Sequence, residues 1–177
     1  MTEFEDEYSA SLDDEPRDAA GRPQLDLDDT LLQLSPADPI CLPATASVRD
    51  AVQRMLVRRQ AGVLVVDDAG RLVGIFTERD VLLRVIARDL DVGRTALGAV
   101  MTPNPEALSR DDRVAYALHC MSVAGYRTIP IVDAQRRPIG IVTVTDVVRW
   151  LADLFPEAVL NLPPGDRLKR PSDVDAG

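Results

Sequence analysis

The sequence predicts an α+β protein in which two similar units, each ordered β-α-β-β-α, pack sheet to sheet about a pseudo-twofold axis. Three observations carry this reading. The chain contains a gapless internal repeat, its hydrophobic period switches between helix and strand inside each repeat, and its charge separates a balanced body from an acidic end.

An offset of 66 residues lays 39–82 on 105–148, with roughly a third of the positions identical. Pro39, Leu42, Val48, Ala51 and Met55 meet Pro105, Leu108, Val114, Ala117 and Met121. Further on, Gly74, Thr77 and Asp80 meet Gly140, Thr143 and Asp146. A period of this size marks a duplicated structural unit.

The elements follow in order. A short leading strand opens each unit. Val48, Ala51, Val52, Met55 and Leu56 then recur at the spacing of one helix face, as do Val114, Ala117, Leu118 and Met121. Ser47 with Asp50, and Ser109 with Asp112, have the spacing of a capping box at the two helix starts. The β-branched runs 63–66 and 129–132 end in DDAGR and DAQRR, and second strands follow at 72–76 and 138–142, which makes two hairpins. Second helices start at Thr77, with Val81, Leu82, Val85 and Ile86 apolar, and at Thr143, with Val147, Val148, Leu151 and Leu154 apolar. A unit of about 60 residues buries little surface alone, and two packed together bury a core.

The chain has 177 residues and a formal net charge of −9. Residues 1–34 hold eleven acids against Arg17 and Arg22, so this tail carries the whole of that charge and the remainder is balanced. The expected organisation is an acidic, mostly disordered tail at 1–34, unit one at 35–93, unit two at 94–155, and a Pro- and charge-rich tail at 156–177. Leu25, Leu27, Leu31, Leu32 and Leu34 have the makings of a short docking helix in the first tail. A body without surplus basic charge argues against nucleic acid as a partner. No apolar run is long enough for a membrane span, and the N-terminus is acidic where a secretory signal is basic. The expected location is therefore the cytoplasm, with Cys41 and Cys120 as two reduced core thiols. The single histidine, His119, is expected in a structural or surface role, and no metal site and no catalytic group are expected.

Three stretches, GVLVVDDAGRLVGIFTERDV (62–81), VMTPNPEAL (100–108) and GYRTIPIVDAQRRPIGIVTVTDVV (125–148), resemble the CBS domain, named after cystathionine β-synthase. They fall in the right order on a duplicated frame, the tandem arrangement called a Bateman module, and the resemblance spans about residues 30–155. It implies a regulatory module, not an enzyme, that binds an adenosine derivative (AMP, ADP, ATP or S-adenosylmethionine) between the paired sheets and forms a homodimer through its helices. No covalent cofactor is implied.

In that family the Asp of Gly-x-x-Thr-x-x-Asp accepts from the ribose hydroxyls. The chemistry is sound on its own terms: a diol offers two donors, a carboxylate two acceptor oxygens, and hydrogen bonds to charge are the strong ones. Thr-x-x-Asp at a helix start is equally a capping motif that needs no ligand, and both readings stand on the sequence. The preferred site lies in the second unit: Met101, Thr102, Leu108, Tyr126, Arg127, Thr128, Ile129, Pro130, Thr143, Thr145 and Asp146. The less favoured site in the first unit comprises Ile40, Gly62, Val63, Leu64, Thr77, Arg79 and Asp80. There Ser35, Pro36, Gln60 and Ala61 replace Met101, Thr102, Tyr126 and Arg127. The expected function is ligand sensing with a signal passed in trans to an unidentified protein partner. The alternative is a dimeric structural or interaction module with vestigial ligand sites.

Overall fold

The computed structural model describes residues 29–154. Residues 27–148 form one compact unit; of the second, 1–26 with 149–177, the described residues are 149–154, which continue a helix. Most of both expected tails, including Leu25 and Leu27, lies outside the described residues.

Residues Leu31–Leu34 form one 3-10 turn. Composition assigns them to the acidic tail, yet they belong to the body. Leu31 and Leu34 are 0% and 5% exposed, while Leu32 points to solvent. The Leu31 N–H donates to Asp112 O at 2.8 Å, and the Val114 N–H donates to Asp29 O at 2.7 Å. Burying two leucines is worth roughly 1.5–3 kcal/mol each, enough to hold a turn that local charge would leave in water.

The first repeat comprises β1 (Cys41–Pro43), α1 (Val48–Arg58), β2 (Gly62–Val66) and β3 (Leu72–Thr77). A helical run follows, made of α2 (Glu78–Asp80), a π turn (Val81–Val85) and a 3-10 turn (Ile86–Arg88). After α3 (Leu97–Val100) and β4 (Thr102–Pro103), the second repeat supplies α4 (Val114–Val123), β5 (Thr128–Val132), β6 (Pro138–Thr143) and α5 (Val144–Leu154). Ser47 caps α1 as its spacing predicts: its hydroxyl accepts from the Asp50 N–H at 3.1 Å. The second box is displaced. Ser109 and Asp112 close a turn ahead of the helix, the Ser109 N–H donating to Asp112 Oδ2 at 2.7 Å, and Arg113 stands at the N-cap of α4. The 66-residue offset puts Arg113, not Ser109, in the place of Ser47.

The helix faces are narrower than their periodicity implies. Val48, Ala51, Met55 and Val85 are buried, whereas Leu56, Leu82, Ile86 and Val148 are exposed. Cys120 is buried as expected, but Cys41 reaches the surface on β1.

The first sheet runs β1-β2-β3-β4; β1 is parallel to β2, and the other pairs are antiparallel. The second sheet is the hairpin β5-β6. Its leading strand contracts to one parallel bridge, Leu108 with Ile131. Proline explains the contraction. In the first repeat the Leu64 N–H donates to Ile40 O at 2.8 Å, but Pro130 occupies the place of Leu64 and has no N–H to give.

The repeats exchange their leading segments. Residues of β4 precede the second repeat but pair with β3 of the first, Thr102 opposite Ile75 and Pro103 opposite Gly74. Reciprocally, Ala37, ahead of the first repeat, trades two backbone hydrogen bonds with Ile141 on β6, at 3.1 and 3.0 Å. Between the sheets Leu64, Leu72, Ile75 and Ile141 pack as one cluster with Ala107 and Val132. The α+β architecture of two units joined sheet to sheet is thus the one the sequence predicts.

Two loop positions swap Gly and Arg between the repeats. Arg59 (φ 52°) ends α1 in the left-handed region, where the second repeat has Gly125 (φ 71°). Gly70 (φ 76°) turns the first hairpin, where the second has Arg136 (φ 62°). Arg136 has a compensating use. Its carbonyl accepts from the Leu72 N–H at 2.9 Å, and its guanidinium donates to Leu72 O and Pro105 O at 3.3 and 3.0 Å. We expect Arg59→Gly to raise stability by up to about 1 kcal/mol, because a left-handed non-glycine residue is strained. Arg136→Gly should instead lower stability, since relief of strain comes with loss of two side-chain bonds, one to Leu72 in the other repeat and one to Pro105 in its own; chemical denaturation of both variants checks the sign.

Although Cys41 reaches the surface, desolvation by the surrounding protein raises the pKa of its thiol, and burial with the nearby Glu106 charge raises that of Cys120. Both thiols should therefore be protonated at neutral pH. Alkylation of Cys41 should set in above the ordinary thiol range, and Cys120 should label only on unfolding, as peptide mass spectrometry would show.

Candidate functional site

The site elements lie where a hairpin strand hands over to a helix. At the end of β3, the Thr77 N–H and hydroxyl both donate to Asp80 Oδ2, at 2.9 and 2.8 Å. At the end of β6, the Thr143 N–H and hydroxyl donate to Asp146 Oδ2, at 2.8 and 2.7 Å, and the Asp146 N–H donates back to Thr143 Oγ1 at 3.4 Å. Both motifs are therefore real capping boxes. In both boxes the oxygen engaged is Oδ2.

Each junction is fixed from behind by the loop before the hairpin. The Glu78 N–H donates to Ala61 O at 3.0 Å, and the Val144 N–H donates to Arg127 O at 3.1 Å. Thr128 stands opposite Thr143, with Ile129 and Pro130 buried next to it on β5. The first repeat matches this with Gly62 opposite Thr77, followed by buried Val63 and Leu64. Leu108 and Ile40, both buried, lie against β5 and β2 respectively. Tyr126 is 42% exposed, and Arg127, Thr145 and Arg79 are exposed.

Two residues fall elsewhere than expected. Met101 and Thr102 were grouped by sequence with Asp146, but the exchange of leading segments carries them to Gly74 and Ile75, on the strand that leads to Thr77 and Asp80. The corresponding neighbours of β6 are Pro36, which the sequence places with the first unit, and Ala37, which sequence reasoning does not single out. The signal for them was the glycine of each motif. A Cβ on Gly74 would collide with the Met101 sulfur, and one on Gly140 would sit 2.9 Å from Pro36 Cβ. The glycines admit a crossing segment.

The two junctions differ. Gln60, in the place of Tyr126, donates through Nε2 to Asp38 O at 2.8 Å and so ties down the leading segment. Asp80 is 8% exposed and has Arg84 Nε at 3.2 Å from Oδ1. Neither Asp80 nor Asp146 lines the clefts of about 780 and 540 Å³: one lies between β1 and α1, lined by Cys41, Asp50, Arg54 and Arg58, the other between α1 and the run after β3, lined by Met55, Leu56, Gln60, Glu78, Val81 and Leu82. Among the described residues, no cluster of three His, Cys, Asp or Glu side chains is placed to hold a metal. None of their helices is long and apolar enough to cross a membrane.

This duplicated β-α-β-β-α frame is that of a CBS domain pair. The CBS domain model matches residues 33–87 and 97–153, and the chain belongs to the CBS-domain family. It is 33% identical over 135 residues to the CBS domain-containing protein CBSCBSPB1 of Arabidopsis thaliana, covering 74% of this chain and 23% of that protein. The chain spans less than a quarter of the length of the first curated relatives it matches. Among solved structures, it resembles the CBS domain pair of protein MJ0100, in complex with 5′-methylthioadenosine and S-adenosyl-L-methionine. That likeness has a TM-score of 0.64 at 26% identity and covers 71% of this chain and 97% of that one. The CBS domain protein PAE2072 of Pyrobaculum aerophilum, complexed with AMP, shares the fold with a TM-score of 0.64 at 22% identity, over 72% and 99% of the two chains.

If the motif glycines serve the crossing segments, Gly140→Ala should cost about 1–3 kcal/mol, because the Pro36 ring cannot rotate away. Gly74→Ala should cost less, because the Met101 side chain can. Thermal unfolding of the two variants measures the difference.

Proposed function

We propose that the protein is a regulatory ligand-sensing module that binds an adenosine derivative at the Thr143–Asp146 junction. The observation that carries this is the box itself, which fixes a carboxylate at a strand-to-helix turn through two hydrogen bonds to Oδ2. A ribose diol offers two donors to a carboxylate held in this way, and the N-terminal end of the α5 dipole favours a neighbouring anion. The MJ0100 pair, a relative in fold and sequence, holds two adenosine compounds, which supports the same ligand class here. The residues we assign to the site are Leu108, Tyr126, Arg127, Thr128, Ile129, Pro130, Thr143, Thr145 and Asp146, with Pro36 and Ala37 replacing Met101 and Thr102 as the crossing segment. No catalytic step is assigned, and the proposed setting is cytoplasmic.

The signal is proposed to leave through a homodimer and a protein partner in trans. Leu56, Val57 and Leu82 on the first repeat, and Val123 and Val148 on the second, are exposed apolar side chains at related positions. An apolar surface of this kind marks an interaction face. Ligand binding regulates only if it favours one arrangement over another.

Thermal unfolding with AMP, ADP, ATP and S-adenosylmethionine tests the reading. One of them, at 100 times its Kd, should add about 2.7 kcal/mol of stability, a shift of several degrees. Asp146→Ala should abolish the shift. Absence of any shift, with Asp146→Ala merely less stable, would leave the box as a cap and favour an interaction module. Light scattering should find a dimer, and Val57→Glu, at a side chain 83% exposed, should weaken it without unfolding the protomer.

A further inference from the structure

The first junction contains a guanidinium where a ligand would have to bind. Asp80 has about four lone-pair positions on its two oxygens. Thr77 takes two of them at Oδ2 through its N–H and hydroxyl. Arg84 Nε stands 3.2 Å from Oδ1. A ribose diol presents two donors, and the guanidinium already stands against the oxygen they would need. Nor is this a swinging surface pair of the kind worth almost nothing. The carboxylate is buried, the Arg84 side chain is two-thirds covered, and a guanidinium nitrogen of Arg84 also donates to Val100 O at 3.0 Å. The arginine is held at both ends.

Its backbone setting is peculiar to this repeat. Arg84 lies in the π turn Val81–Val85, whereas the corresponding stretch of the second repeat is regular α-helix within α5. The 66-residue offset places Trp150 opposite Arg84.

We propose that Arg84 is an intramolecular latch that occupies the Asp80 carboxylate in place of a ribose and so keeps the first junction closed to adenosine ligands. The latch also joins the site to the crossing segment. Val100 immediately precedes Met101 and Thr102, which lie on Gly74 and Ile75. A ligand that took Asp80 would therefore release the carbonyl that anchors this segment. The proposal rests on reading Thr-x-x-Asp as a ribose site.

Calorimetric titration with AMP and with S-adenosylmethionine tests it, in a background where Asp146→Asn silences the second junction. Asp146→Asn alone should show no binding step. Adding Arg84→Trp, the side chain the other repeat uses, should create a step of one ligand per chain, at least about tenfold tighter than before, and Asp80→Asn should remove it. Arg84→Leu, which keeps an apolar stem, serves if the tryptophan variant fails to fold. The latch is overturned if Asp146→Asn alone already binds one ligand through Asp80. It is also overturned if the folded double variant binds none while the wild type binds. Should the wild type bind nothing and Arg84→Trp bind one ligand, the latch stands and the second-junction reading falls. Should neither bind, both fall.

Discussion

The exchange of leading segments between the repeats is the constraint on which the rest depends. A hairpin edge carries unpaired N–H and C=O groups that must be satisfied or left in water. Here each inner edge is covered by backbone from the other repeat: β3 by Thr102 and Pro103, and β6 by Ala37. The crossing backbone must come close, so Gly74 and Gly140 have no side chain to spare. The interlock also draws residues 29–34 out of the acidic end and onto α4. One requirement thus accounts for the sheet order, the motif glycines and the boundary of the folded body.

The same junctions then carry the candidate chemistry. A box that caps a helix also fixes a carboxylate in space, so structural and binding uses need not compete. What separates the two repeats is the set of neighbours each carboxylate has acquired. Asp80 is buried with Arg84 and backed by a Gln60 committed to the leading segment. The second junction has Tyr126 and Pro130 in the places of Gln60 and Leu64. Duplication supplied two copies of one frame, and substitution at a few positions made them chemically unequal.

Much of this was legible in the sequence because it is local. The hairpins announced themselves by β-branched runs around a turn, and Thr-x-x-Asp by its spacing. What escaped was long-range. Nothing in MTPNP says that Met101 and Thr102 lie on the preceding repeat, because strand exchange is decided by which edge is open. The Ser109–Asp112 pair had capping spacing but sits ahead of the helix, where Leu31 and Asp29 bind the turn and the helix start. Leu56, Leu82 and Ile86 share the apolar stripes that periodicity marks yet are exposed, because periodicity identifies a stripe but not what covers it. Cys41 was misplaced for a similar reason: a three-residue edge strand exposes alternate side chains.

The interlock also says something about origins. A single ancestral repeat could not have covered its own hairpin edge with its own leading segment, since each segment serves the other copy. Such an ancestor would have existed as a pair of identical chains with swapped arms, a self-complementary arrangement. Fusion of the two genes would then have changed no contact. It would have raised the effective concentration of one half for the other and, by breaking identity, left each half at liberty to specialise.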